Sequence, residues 1–258
     1  LRWAVQDCAA TRDALHVVLA HGATAGPGDL ETLVSDELSR VPGREPEVDV
    51  TVTTGEPATA LLAAAAESSQ LVLGCGRKVA PVGPGVGKVL RVVLPRSPVP
   101  LVLVGPQAVL TAPRRLLVVS STDAAVSDWA IERAGDLPLR LLTTWYPRSI
   151  TTRPSAAERR HAHLAAVGRH HAVRATLSGA SHRPVRADVT EGLVGEVVPQ
   201  RLTVGDLVVV AAGAARALPF RTLRSPVVLV PPGERRIHLP APDVVDLRDD
   251  VREGLQRS

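Results

Sequence analysis

The residues best placed to do chemistry in this 258-residue chain lie in GCGRKVAPVGPGVGK, residues 74–88, a stretch that follows the apolar run Leu71-Val72-Leu73 and contains both lysines of the protein, Lys78 and Lys88. Glycines placed after a strand permit positive φ, so successive backbone N–H groups can converge on an anion, and Arg77, Lys78 and Lys88 can add charge-assisted hydrogen bonds. The chemistry this points to is phosphate binding. A Walker-type loop is excluded by its spacing: Val82 stands where the first glycine would be, and Val89, after Gly87-Lys88, has no hydroxyl for Mg²⁺.

Other reactive side chains read less sharply. His161, His163, His170 and His171 fall in a helix predicted to begin near Ser155, but His163 and His170 are seven apart, whereas helical metal ligands favour spacings of three or four. A solvated, arginine-flanked helical face is expected there. Cys75, beside Gly74, would be reactive if Arg77 and Lys78 lowered its pKa, and is otherwise a plain buried thiol. His21, at the end of a strand, either lines a pocket or sits at the surface. There is no G-x-S-x-G elbow, and no paired carboxylates follow a strand, which argues for a binding role over an enzymatic one.

The elements that position these residues occur twice. Trp3-Ala4-Val5 opens a helical pattern before the strand Leu15 to Ala20, and Trp129-Ala130-Ile131 does so before Leu139 to Thr143. Val52-Thr53-Thr54-Gly55 precedes helix 57–67 and strand Leu71 to Gly74, as Val189-Thr190-Glu191-Gly192 precedes helix 193–202 and strand Asp206 to Ala211. Arg96-Ser97-Pro98-Val99-Pro100-Leu101-Val102-Leu103-Val104 matches Arg224-Ser225-Pro226-Val227-Val228-Leu229-Val230. An offset of this size means two tandem domains and not a solenoid. Residues 1–105 and 114–231 form the two units, 106–113 the linker, and 232–258 a tail rich in proline and charge. Continuous Val/Leu runs alternating with helical patterns predict an α/β protein, two Rossmann-like domains each built on a parallel sheet of about five strands with helices on both faces.

Composition bounds the partners. Hydrophobic residues make up 45% of the chain, enough for a sizeable core, and the near absence of aromatics removes the stacking platforms that single-stranded nucleic acid needs. The net charge of +4 rests on scattered arginines, so nucleic acid is not expected as a partner. Two cysteines without CxxC spacing suggest a reducing, cytoplasmic setting, and no apolar run approaches the roughly 20 residues that cross a bilayer.

With a Gly-x-Pro-Ala helix start at Gly55-Glu56-Pro57-Ala58, a Gly-rich loop after the next strand and a closing Ser-Pro-Val-x-Leu-Val strand, the chain resembles the universal stress protein family over about residues 1–105 and 114–231. The family's phosphate loop follows the pattern G-x2-G-x9-G-[ST]. Gly74 and Gly87 stand at its first and third glycines, while Arg77 replaces the middle glycine and Lys88 the hydroxyl residue. The resemblance implies a stress-related regulatory role, with at most weak ATP binding in the first half through Gly74, Arg77, Gly87 and Lys88. It implies none in the second half, where only 212–220 follow the matching strand and Asp123 comes about two positions late. It also implies pairing of the halves through the final strands, 98–104 and 226–230, whose prolines suit edge strands, with a homodimer of chains as a further expectation. In the family the central strand comes first, but here Leu1 already lies in the next helix, so the second and fourth strands of that half would lack their partner. Either residues precede Leu1, or another segment such as Asp243 to Leu247 fills the gap. A ligand-free interaction module and a nucleotide-hydrolysing enzyme on the same fold are the competing readings.

Overall fold

The computed structural model describes residues 1–21, 27–41, 45–75, 87–147, 154–181 and 184–233. The first half runs α1 (Arg2–Thr11), β1 (Leu15–His21), α2 (Pro27–Leu38), β2 (Val48–Thr54), α3 (Pro57–Ala65), β3 (Leu71–Gly74), α4 (Lys88–Val93) and β4 (Leu101–Val104). The second runs β5 (Arg115–Val119), α5 (Ala124–Ala134), β6 (Leu139–Trp145), α6 (Ala156–Ala180), β7 (Arg186–Glu191), α7 (Val194–Arg201), β8 (Asp206–Ala211), the 3-10 helix η1 (Ala212–Ala217) and β9 (Val227–Val230). The α/β class read from the Val/Leu runs is the class observed.

Local chemistry fixes the helix starts. Pro57 opens α3 behind Glu56, whose carboxylate accepts from the Thr59 N–H at 2.9 Å. Ser155 and Glu158 form a reciprocal capping box on α6, and Asp123 caps α5 through the Ala125 N–H at 3.1 Å. The repeat also appears in the backbone: Gly55 and Gly192, at matched strand-to-helix turns, have φ of 129° and 138°, a conformation in which a side chain is strained.

Seven strands make one sheet in the order β3-β4-β9-β8-β5-β6-β7, while β1 and β2 pair with each other alone. All pairings are parallel except β4 with β9, where Leu101, Val102 and Leu103 face Leu229, Val228 and Val227 across an antiparallel seam between the halves. That seam makes β4 and β9 interior strands, and Pro98, Pro100 and Pro226 lie before them, where no ladder donor is needed. The second half therefore has five strands, with β5 between β6 and β8. The first half departs from the five-stranded sheet predicted for it: its four strands fall into two pairs, because no described segment stands between β1 and β3. Residues 243–247, the candidate filler, lie outside the described residues.

Alternation along the strands sends side chains to two cores, one per face. Leu101, Leu103, Leu117 and Val119 join Val197, Val198, Phe220 and Leu223 on one side. Val102, Leu116 and Val118 join Trp3, Val126, Ala130, Val173 and Leu177 on the other. Helix α1 of the first half is thus packed in the same cluster as α5 and α6 of the second.

The histidine helix needs one correction. His161, His163 and His171 are exposed as expected, and His163 meets Trp145 edge-on, but His170 is buried and its Nδ1 lies 3.0 Å from the Thr143 hydroxyl. His170 follows Ala166 by four residues and precedes Val173 and Leu177 by three and seven, which places it on the core-facing stripe of α6. Burial first, then the charges of His171 and Arg174, lowers its pKa despite Asp188. Below about pH 6.5 the unfolded chain takes up a proton that the folded site resists, so stability rises with pH across that range. His170→Gln is expected to flatten the acid side of the stability curve, read as urea midpoints; an unchanged acid slope would show that other groups set it.

Candidate functional site

The candidate phosphate loop leaves the sheet at the carboxyl end of β3, where ligands of parallel sheets gather. Gly74 is exposed, and a Cβ built there would meet nothing within 4 Å, so the loop's first glycine faces open space. The next residue is held: the Cys75 N–H donates to the Val104 carbonyl at 2.8 Å, which fixes where the loop departs. At the far end Gly87 is the N-cap of α4, with φ of −65° and ψ of 167°, and exposed Lys88 is the helix's first residue. The structure thus places Gly74, Gly87 and Lys88 at the two ends of the loop. Arg77 and Lys78 lie outside the described residues.

Two neighbours modify the electrostatics. The Glu56 carboxylate is held below the ordinary glutamate range first by the Thr59 N–H, with the Lys88 charge a smaller contribution. An acidic group therefore already sits near the basic end of the loop. Cys75 is buried, and desolvation raises its pKa, outweighing the Arg221 charge that lowers it. Burial thus disfavours the thiolate, which is the nucleophilic form of a cysteine. At the end of β1, His21 is paired in register with Thr54 of β2. No group of metal-ligating side chains occurs among the described residues.

In the second half the corresponding space is filled. Directly after β8 the chain turns into η1, and Ala215, Leu218 and Phe220 pack into the core at 1%, 1% and 2% exposure. Helix α7 approaches so closely that a Cβ at Gly195 would lie 2.0 Å from the Ala217 carbonyl oxygen. Gly195→Ala is accordingly expected to cost about 1–3 kcal/mol of stability, as overpacking does; an unchanged thermal midpoint would show that α7 and η1 are not locked together. Asp123 is also committed: besides capping α5, its two carboxylate oxygens each lie 3.2 Å from the Gly233 backbone nitrogen, which donates to them from the segment after β9. The sequence signal for this was the shortened spacing after Ala211, but the Asp123–Gly233 contact had none, since it joins positions 110 apart.

No protein-family model matches the chain. No curated protein matches it either. Among solved structures, a protein of Pseudomonas aeruginosa UCBPP-PA14 provisionally assigned as a universal stress protein superposes with a TM-score of 0.57 at 14% identity, over 87% of this chain and 85% of the other. A functionally unknown protein of Pseudomonas aeruginosa PAO1 gives 0.58 at 13% identity, over 97% and 89%. A universal stress protein of Archaeoglobus fulgidus DSM 4304 gives 0.55 at 13% identity, over 86% and 87%. Identities this low speak for architecture alone. Strand order, helix placement and these superpositions together give the chain the fold of the universal stress proteins.

Proposed function

We propose that the protein is a regulatory protein of the universal stress type and not an enzyme, whose first half binds adenine nucleotide weakly and whose second half is a structural partner. The observation that carries this reading is the contrast between the two strand ends. After β3, exposed Gly74 and the N-cap Gly87 stand at the two ends of the Gly-rich segment, and exposed Lys88 begins the helix that follows. After β8, η1 and α7 occupy the equivalent space, and Gly233 occupies the carboxylate of Asp123. Arg77 and Lys88, which replace a glycine and a hydroxyl in the family pattern, supply charge in place of close backbone approach, at the cost of the tight cradle.

Calorimetric titration with ATP and Mg²⁺ tests the reading. One weak site per chain is expected, diminished by Arg77→Ala and Lys88→Ala together; no heat at millimolar nucleotide would overturn the binding clause, and released phosphate would overturn the exclusion of an enzyme. A ligand-free interaction module is the second reading. It is favoured by Glu56, whose carboxylate already lowers the net positive charge around Lys88.

A further inference from the structure

A cavity of about 800 Å³, within the size range of small-molecule sites, lies at the carboxyl ends of β6 and β7 and is bounded by α6. It shares no lining residue with Ser120 to Asp123 or with η1, so it is separate from the filled strand end described above. Nor does it depend on nucleotide binding in the first half.

Three features of its lining point to a ligand. Arg169 is half-buried and donates to a neutral acceptor, the Thr144 carbonyl at 3.2 Å, while no carboxylate pairs with it among the described residues. Burial accordingly lowers its pKa with no acidic neighbour to raise it, yet a guanidinium stays charged and keeps further N–H donors for an anion. The turn after β7 is the second feature. At the matched turn of the first half Glu56 caps α3, whereas the N-cap of α7 is Leu193, which makes no side-chain cap bond and is 49% exposed. Helix stability favours Ser, Thr, Asp or Asn there, so it does not account for an exposed leucine on the cavity wall. The third is aromatic: Tyr146 is 54% exposed, and half-buried Trp145 beside it in sequence is met edge-on by His163 at 5.0 Å. One carboxylate also lines the cavity, that of Glu158, which accepts from the Ser155 N–H at 2.6 Å. It lies eleven residues from Arg169 on α6, about 16 Å along the helix axis.

We propose that this cavity binds a small monocarboxylate with a flat apolar body, its carboxylate on the Arg169 guanidinium and its body against Trp145, Tyr146 and Leu193. The planar fork of a guanidinium matches a carboxylate through two parallel N–H···O bonds. The two rings offer the apolar body a stacking surface. A single negative charge is satisfied at the Arg169 end, whereas a ligand with several would meet Glu158 at the other.

The test titrates the full chain with naphthoate and follows it by amide-resolved NMR. Saturable shifts are expected at Thr144, Trp145, Tyr146, Gly192 and Leu193, and neutral naphthamide should bind roughly tenfold more weakly, because it forgoes the charge-assisted bonds to Arg169. Arg169→Gln should remove this preference, so that acid and amide bind about equally. Leu193→Ser should weaken naphthoate binding while holding or raising the thermal midpoint of the ligand-free chain, since serine can cap α7. The proposal is overturned by the absence of saturable shifts at millimolar naphthoate, by shifts only elsewhere, or by equal binding of acid and amide to the parent chain. It is overturned equally by tighter binding of naphthyl phosphate than of naphthoate, or by a midpoint lowered in Leu193→Ser, which would make Leu193 a packing residue of the fold. The comparison of acid with amide uses the parent chain, so it decides the matter even where Arg169→Gln fails to fold.

Discussion

Replacing Arg133 by alanine is expected to destabilise the protein by about 3–5 kcal/mol, the usual cost of leaving one buried charge without its partner. Arg133, on α5, donates to Asp7 on α1, so the ion pair joins the two halves, and Asp7 also accepts from Gln70 at 3.1 Å. The Asp7 side chain is 1% exposed, and burial, the largest influence on it, holds its pKa above the ordinary aspartate value even with Arg133 present. The sign of the pH effect follows. Between the unfolded and folded pKa values the native state binds more protons than the unfolded chain, so this group favours folding at acid pH and costs stability as pH rises. Without Arg133 the cost grows, and the deficit of the variant should shrink as pH is lowered toward protonation of Asp7. Urea unfolding of the variant and the parent across that range checks this. An equal deficit at every pH would mean that lost packing, and not the stranded carboxylate, is what the substitution removes. Asp7→Asn, which removes the charge and keeps polar atoms for Gln70 and Arg133, should cost less.

Trp3→Ala carries the other large expected effect, about 3–5 kcal/mol for removing a buried aromatic. Trp3 is 2% exposed, and it belongs to the cluster that contains Val102 of the first half together with Leu116, Val126 and Ala130 of the second. Its removal takes α1's anchor away from the face where the halves meet. Trp3→Phe keeps most of the apolar contact and removes an N–H that has no acceptor among the described residues, so it should be much milder. Thermal or urea unfolding of the two variants distinguishes packing from polarity. Equal losses would show that the indole nitrogen does have a partner in solution.

How much of this was legible in the sequence depends on the range of the interaction. Strand β8 spans Asp206–Ala211, as its continuous apolar run predicts, because a strand buried on both faces has no polar face to confuse its limits. The Ser155 to Glu158 capping box and the glycines at 55 and 192 are likewise local and readable. What the spacing left hidden was set by contacts between distant segments. His170 reads as one more residue of a polar helix until Thr143 is found beneath it. Cys75 reads either as a thiol activated by adjacent charge or as a plain buried one, and its burial supports the second. The commitment of Asp123 to Gly233 depends on where the chain goes after β9, which composition does not encode. For the candidate site, Gly74 and Gly87 of the glycine pattern stand at the end of β3 and the start of α4, and the pattern could not show that Glu56 stands near Lys88 or that α7 and η1 pack together in the second copy.

The central proposal is that the first half holds nucleotide weakly at the end of β3. Amide-resolved NMR titration with ATP and Mg²⁺ addresses it most directly. The account predicts shifts at Gly74, Cys75, Gly87 and Lys88, with none at residues 121–123 or 212–217; shifts confined to the second half, or no shift anywhere at millimolar nucleotide, would contradict it.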